Sequence, residues 1–172
     1  DKKIILKSIR IKNLSLSNDI KLNILKEKSN NKNLSLVKDI NQARIDSREV
    51  KKNDIFFAIK GKRNDGNKHV SESFKKKASL VVLNKIQKNF SNKKQILVNN
   101  SLSFLTSISK IFRKNIDTKI IAITGSCGKT TLKELLGNSL KKISKVTISP
   151  KSFNNKYGVP LSLFNLSQND NF

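Results

Sequence analysis

The stretch "TGSCGKTTLKELL" (124–136) sets two glycines, a lysine and paired threonines ahead of a leucine-spaced run. Gly125 and Gly128 permit backbone angles and close approaches that a side chain would forbid. Leu132, Leu135, Leu136, Leu140 and Ile143 recur at i, i+3, i+4, i+8 and i+11, one apolar face of a helix. The loop 125–129 therefore opens onto a helix N-terminus, where free N–H groups and the positive dipole end favour a phosphate. Lys129 is placed to reach terminal phosphates as a point charge, and the Thr130 hydroxyl to ligate Mg²⁺. The chemistry this spacing offers is nucleotide phosphate binding. The bland alternative is a glycine turn with a solvated lysine.

The general phosphate loop, G-x-x-x-x-G-K-[ST], is not satisfied, because its first glycine would fall on Ile123. What stands here is the shorter T-G-S-x-G-K-T-T. Cys127 lies inside the loop, where a helix N-terminus lowers a thiol pKa. No histidine partner is at hand, since the chain holds only His69, so Cys127 reads as a small loop residue. A single histidine is no metal site either.

The elements that must position this loop are legible as alternating patterns. The apolar run 120–124 reads as a buried strand before the loop, and "KVTIS" (145–149) as the strand after the helix. Upstream, "KKND" reads as a turn before the run Ile55–Ile59, a second buried strand. "HVSESFKKKAS" (69–79) spaces Val70, Phe74 and Ala78 as on one helix face. "LVVL" (80–83) and "QILV" (95–98) read as strands. "NSLSFLTSISKIFRKN" (100–115) has helical spacing, with Ser101 as its expected cap. Strand and helix alternate, which predicts an α/β fold. Residues 1–43 show period-two alternation (Ile9 and Ile11, Leu14 and Leu16, then Ile20, Leu22 and Ile24), which predicts short strands, and "KEKSNNKN" (26–33) reads as a turn. "IDTK" (116–119) reads as a linker.

Composition limits the function classes. The chain has 172 residues, 36% of them hydrophobic, enough for a core in one or two domains. No apolar run approaches a membrane span, and the start lacks the apolar core of a signal peptide. One cysteine excludes an internal disulfide framework and fits a reducing compartment, so a cytoplasmic protein is expected. Lys and Arg total 36 against 12 Asp and Glu, a net charge of +24. That balance can mark a nucleic-acid binder. Here the lysines are dispersed, arginine is scarce, and one tyrosine with no tryptophan leaves little for base stacking. Compositional bias from AT-rich coding is the preferred account, and a basic nucleic-acid-binding module the alternative.

Three separated stretches together resemble the Mur ligase family of peptidoglycan synthesis. "TGSCGKTTLKELL" resembles its ATP loop, and "DSREVKKNDIFFAIKGKRNDG" (46–66) a segment of its first, UDP-substrate-binding domain. "SFNNKYGVPLSLFNL" (152–166) resembles the stretch after the second strand of its ATPase domain. N-N-x-x-G-V-P beside a G-S-x-G-K-T-T loop is most similar to the branch that adds D-alanyl-D-alanine to UDP-N-acetylmuramoyl-tripeptide. Another Mur-type or folylpolyglutamate-type ligase is the alternative within this class.

The resemblance implies that Gly125, Ser126, Cys127, Gly128, Lys129, Thr130 and Thr131 bind ATP. Lys129 would act in catalysis and Thr130 would face Mg²⁺. Asp46, Ser47 and Arg48 would lie towards the UDP-linked substrate, and Asn154 and Asn155 in the cleft between domains. The reaction implied is phosphorylation of a carboxylate by ATP, followed by attack of the amine of D-alanyl-D-alanine on the acyl phosphate. The fold implied is a small α/β substrate-binding domain (1–115) followed by the start of a P-loop α/β ATPase domain (116–172). Two departures stand out: Lys156 follows the paired asparagines, and Asp65-Gly66-Asn67 replaces D-G-H, with His69 displaced. The chain has no methionine and ends before the family's later strands, so an N-terminal fragment, incompetent by itself, is expected.

Overall fold

A computed structural model describes residues 15–29, 34, 37, 39–61, 64–150, 153, 155–167 and 169–172. Four strands form one parallel sheet in the order β1 (Ala43–Arg44), β2 (Ile55–Phe57), β3 (Leu80–Leu83) and β4 (Gln95–Leu97). Register pairs Ile55 with Leu80 and Val82 with Ile96. All residues of β2 and β3 are buried. A parallel sheet covered on both faces needs such uninterrupted apolar strands, because crossover helices pack on each side.

Alternation along β2 assigns the two faces. Ile55 and Phe57 join the larger core, with Leu105, Ile108 and Phe112 of α3 (Ser101–Lys114) and Leu22 and Leu25 of α1 (Ser15–Ser29). Phe56 and Ala58 face the other way, towards Val70 on the short α2 (Val70–Lys75) and Ala78 beyond it. The expected helices at 69–79 and 100–115 and the strands at 55–59, 80–83 and 95–98 are all present, with trimmed ends. Asn53, at φ 66°, makes the turn before β2. The cap of α3 is Asn100 rather than Ser101: its carboxamide oxygen accepts from the N–H groups of Leu102 and Ser103 at 3.0 and 2.9 Å.

Two further expectations are corrected. Ile20, Leu22 and Ile24 belong to α1, not to a strand, and residues 26–29 continue it instead of turning. The buried face of this helix is Lys21, Leu22, Ile24 and Leu25, so a lysine occupies an apolar position and hides the helical period. Ile9, Ile11 and Leu14, the side chain of Leu16, and residues 30–33 lie outside the described residues.

The second correction concerns 120–124 and 145–149, which are in no sheet of the described residues. Ile120 and Ile121 are 43% and 47% exposed. Parallel strands need a neighbour to take up their N–H and C=O groups; among the described residues 145–147 find backbone partners only in Asn171 and Phe172, and 120–124 find none in another segment.

Two more helices follow: α4 (Lys129–Leu140), after the glycine loop, and α5 (Gly158–Phe164). Helix α5 packs along α3. Phe164 meets the rings of Phe57 and Phe112 at centroid distances of 6.3 and 5.7 Å. Asn165, just past α5, accepts from Ala43 N–H at 2.6 Å and donates to Ala43 C=O at 3.1 Å. Its carboxamide thus covers the edge of β1 as a neighbouring strand would.

Candidate phosphate-binding loop and cleft

The loop delivers its lysine as the spacing requires. Gly128 sits at φ 74°, the left-handed region, and forms the N-cap of α4. A Cβ there would meet nothing within 4 Å, so the demand for glycine is conformational rather than steric. Gly125, at φ 149°, is a second positive-φ glycine at the loop entrance. The first N–H groups of α4 have no partner within the helix, by helix geometry, and face outward from an exposed loop. Lys129 Nζ folds back on the loop and donates to the carbonyls of Gly125 and of Ser126, the latter at 3.1 Å. Thr130, Thr131, Ser126 and Cys127 are exposed. Seven consecutive residues thus present N–H groups, an ammonium and hydroxyls at one helix end, the donor set of a phosphate site.

These residues suit a metal less completely. Among the described residues no group of three or more His, Cys, Asp or Glu could hold a cation. Thr130 would supply one oxygen, with phosphate oxygens and water completing the shell, as is usual for Mg²⁺ on nucleotides.

Ser47 and Arg48 open a single helical turn, Ser47–Glu49, just after β1, and Asp46 is its N-cap. Asp46 accepts from the backbone N–H of Arg48 at 3.0 Å and grips its guanidinium at 2.6 Å. That carboxylate holds the Arg48 pKa above its ordinary value. Ser47 donates to Glu72 at 2.6 Å, and with Lys76 this keeps the Glu72 carboxyl below its usual range. Lys76 also donates to the carbonyls of Ser47 and Arg48 at 3.2 and 2.8 Å. Glu72 and Lys76 were not singled out by the sequence; their i, i+4 spacing on α2 was the available signal.

Asn155 caps α5: its side-chain oxygen accepts from the N–H groups of Tyr157 and Gly158 at 3.0 and 2.9 Å. Asn154 lies outside the described residues. Asp65 caps its own turn and accepts from both nitrogens of Asn67, which lowers its pKa. His69 is half-buried, with Nε2 3.3 Å from the Asn64 oxygen.

A cleft of about 670 Å³ separates α4 from β1. It is walled by Leu136 and Leu140 on one side and by Ala43 and Leu161 on the other. It is not the phosphate site: none of residues 125–131, and none of Asp46, Ser47, Arg48 or Asn155, lines it. Lys133 does, and its ammonium donates to Ser149 C=O at 2.8 Å. The structure therefore brings the seven loop residues together and leaves the 46–48 turn and Asn155 as separate groups engaged in local hydrogen bonds.

Residues 123–171 match the Mur ligase middle domain family. The UDP-N-acetylmuramoyl-tripeptide--D-alanyl-D-alanine ligase of Rickettsia prowazekii is 36% identical over 132 residues, which are 77% of this chain and 29% of that protein. Its Bacillus subtilis counterpart is 30% identical over 125 residues, 72% of this chain and 27% of the relative. A crystal structure of MurF from Acinetobacter baumannii superposes with a TM-score of 0.65 at 30% identity, over 77% of this chain and 29% of that one. The MurF ligase of Thermotoga maritima in complex with ADP gives 0.59 at 33% identity, over 78% and 30%. The chain thus spans under a third of the length of these relatives. By its sequence and its fold, the chain is similar to the N-terminal part of the D-alanyl-D-alanine-adding ligases, and its residues 123–171 are those of a Mur ligase middle domain.

Proposed function

We propose that this chain is the substrate-binding and ATP-loop portion of an ATP-dependent ligase joining D-alanyl-D-alanine to UDP-N-acetylmuramoyl-tripeptide. The observation that carries the reading is the loop 125–131, with a left-handed Gly128 at the N-cap of α4 and Lys129 turned into the loop. Its likeness to a ligase solved in complex with ADP supports an adenine nucleotide as the ligand. In this reading residues 1–115 face the UDP-linked substrate and 116–172 open the ATPase unit, with α5 packed back on the first part.

ATP supplies the phosphoryl group that turns a carboxylate oxygen into a leaving group; the amine then forms the C–N bond and phosphate departs. This chain's residues position and neutralise. The N–H groups at the start of α4 hold phosphate oxygens. Lys129 exchanges its two carbonyl partners for the terminal phosphates. Thr130 offers an oxygen to Mg²⁺, which neutralises charge when bound. Arg48, oriented by its ion pair with Asp46, offers an anion contact to the UDP-linked substrate, and Asn155 keeps its amide nitrogen for the cleft between domains. The setting proposed is the cytoplasm, in cell-wall synthesis serving cell shape and division. In keeping with that, among the described residues no helix is long and apolar enough to cross a membrane.

Calorimetric titration with Mg·ADP tests the nucleotide site: binding by the chain and its loss in Lys129→Ala are expected. No heat at millimolar nucleotide overturns it. Titration with UDP-N-acetylmuramoyl-tripeptide against a folate polyglutamate separates the two ligase classes.

A further inference from the structure

Eight lysines and a single acid, Glu72, fall within residues 66–94. Along the chain these lysines look dispersed; the sheet gathers them. Alternation along β4 shows how. Ile96 belongs to the larger core, so Gln95 and Leu97 point to the opposite face, where Phe56, Val70 and Val81 are buried. There the Gln95 amide donates to the carbonyls of Gln87 and Phe90 at 3.1 and 2.9 Å. Phe90 in turn packs on Phe74 of α2, with ring centroids 4.7 Å apart. The crossover from β3 to β4 (84–94) therefore lies beside α2 over the same face of the sheet, and the two make one layer.

Lys75, Lys77, Lys85, Lys88, Lys93 and Lys94 are exposed on that layer. Among the described residues none of the six is ion-paired. Glu72, the one acid, is already held by Ser47 and Lys76. The helices on the opposite face, α1, α3 and α5, hold six basic residues against two acids. Two of those six are engaged: Lys21 is buried, and Arg113 donates to Ile116 C=O at 3.1 Å. Free positive charge is thus concentrated on the α2 face. Leu97 stands at the edge of the same face, on the outermost strand, and is 54% exposed.

We propose that the layer formed by α2 and residues 84–94 is a peripheral docking surface for an anionic phospholipid membrane. Its lysines meet the lipid phosphates, and Leu97 enters the interface beside them. A surface contact of this kind needs no spanning helix. The chemistry favours lipid over nucleic acid. Residues 66–94 contain no arginine for reading base edges, and their two aromatic rings, Phe74 and Phe90, are spent on each other instead of being open to base stacking. The inference is independent of the nucleotide site and of the ligase reading.

Vesicle flotation with the 172-residue chain tests it. Partition onto phosphatidylcholine vesicles containing about one-third phosphatidylglycerol should exceed that onto pure phosphatidylcholine at least about tenfold, and should weaken as salt rises. Reversing three charges on the layer, Lys88→Glu with Lys93→Glu and Lys94→Glu, should lower partition about a hundredfold. Reversing three on the opposite face, Lys28→Glu with Lys110→Glu and Lys114→Glu, should lower it less than about threefold. All six side chains are exposed; should either triple fail to fold, the matching lysine-to-glutamine triples give the same comparison. Leu97→Trp supplies a chain that has no tryptophan with a single reporter. Its emission should shift to the blue on the anionic vesicles and not on the neutral ones. Absence of partition, equal losses from the two triples, or an unshifted Leu97→Trp emission would each overturn the proposal. Tighter binding to duplex RNA, lost in the 88/93/94 triple, would assign the face to nucleic acid and also overturn it.

Discussion

Gly128 and Gly66 are both required to be glycine, for different physical reasons that a pair of substitutions separates. Gly128 has open space around it but a φ of 74°. Gly128→Ala should therefore cost about 1–2 kcal/mol, the penalty of the left-handed region, while Gly128→Asn costs less. Gly66 has an ordinary φ, yet a Cβ there would lie 2.7–2.9 Å from the backbone of Ala58 and Ile59. Main chain at the end of a buried strand cannot yield, so Gly66→Ala and Gly66→Asn should both cost about 2–3 kcal/mol. Urea unfolding of the four variants checks this. A tolerated Gly66→Asn would show that the close approach is not rigid. The functional weight of Gly128 was legible from the loop pattern. That of Gly66 was not, because its contact with the main chain of Ala58 and Ile59 exists only once the intervening loop has folded back, and so leaves no mark in the residue pattern.

At the scale of elements, what the sequence concealed was caused by side chains in unexpected company. The strands β2 and β3 announced themselves because burial on two faces makes an apolar run. Helix α1 did not, because Lys21, 4% exposed, lies among its apolar positions with Nζ 5.0 Å from the Phe112 ring centroid and 5.5 Å from that of Phe164. Burial lowers its pKa from 10.5 to about 8, with the charge of Asp170 opposing the shift. Below pH 8 the lysine is charged folded and unfolded, and the native state bears the full desolvation cost. Between pH 8 and 10.5 it is neutral only when folded, so the cost is relieved and stability rises with pH. The 2.5-unit shift corresponds to a rise on the order of 3 kcal/mol, less what the two rings return to the charged form. Stability of the parent chain relative to Lys21→Met, measured by denaturant at pH 7 and 10, should show that rise. Equal differences at both pH values would refute it.

Capping sets a second prediction at this scale. Asn155 spends its oxygen on the start of α5, leaving only its amide nitrogen for a ligand. Asn155→Ala should cost about 1 kcal/mol of stability, whereas Asn155→Asp keeps the cap. If Asn155 also touches substrate, Asn155→Asp alone should weaken binding of the UDP-linked ligand with stability unchanged. The sequence pointed to this asparagine as a site residue; its capping role needed the start of α5 to be placed.

The whole molecule argues against a clean break at the linker 116–119. One continuous core runs from Leu22 to Leu166 and includes Leu161, Phe164 and Leu166, all beyond that linker. Asn165 adds two hydrogen bonds to Ala43, at the other end of the chain. Burying three such side chains is worth roughly 1.5–3 kcal/mol each. Their sum approaches the 5–15 kcal/mol that holds a typical domain together. Removing them therefore uncovers Leu105, Ile108 and Phe112 and takes away most of the margin. The first sheet and α5 should unfold in a single transition. Phe164→Ala should lower that transition by about 3–5 kcal/mol as a unit, without splitting off a stable remainder. Far-ultraviolet dichroism and hydrogen exchange of β2 and α5 should report the same midpoint in parent and variant. A chain ending at residue 115 should not reach the parent's cooperativity, even though it holds every strand of the sheet. Independent melting of β2 and α5, or a fully cooperative 1–115 piece, would show that the linker does separate two self-sufficient domains.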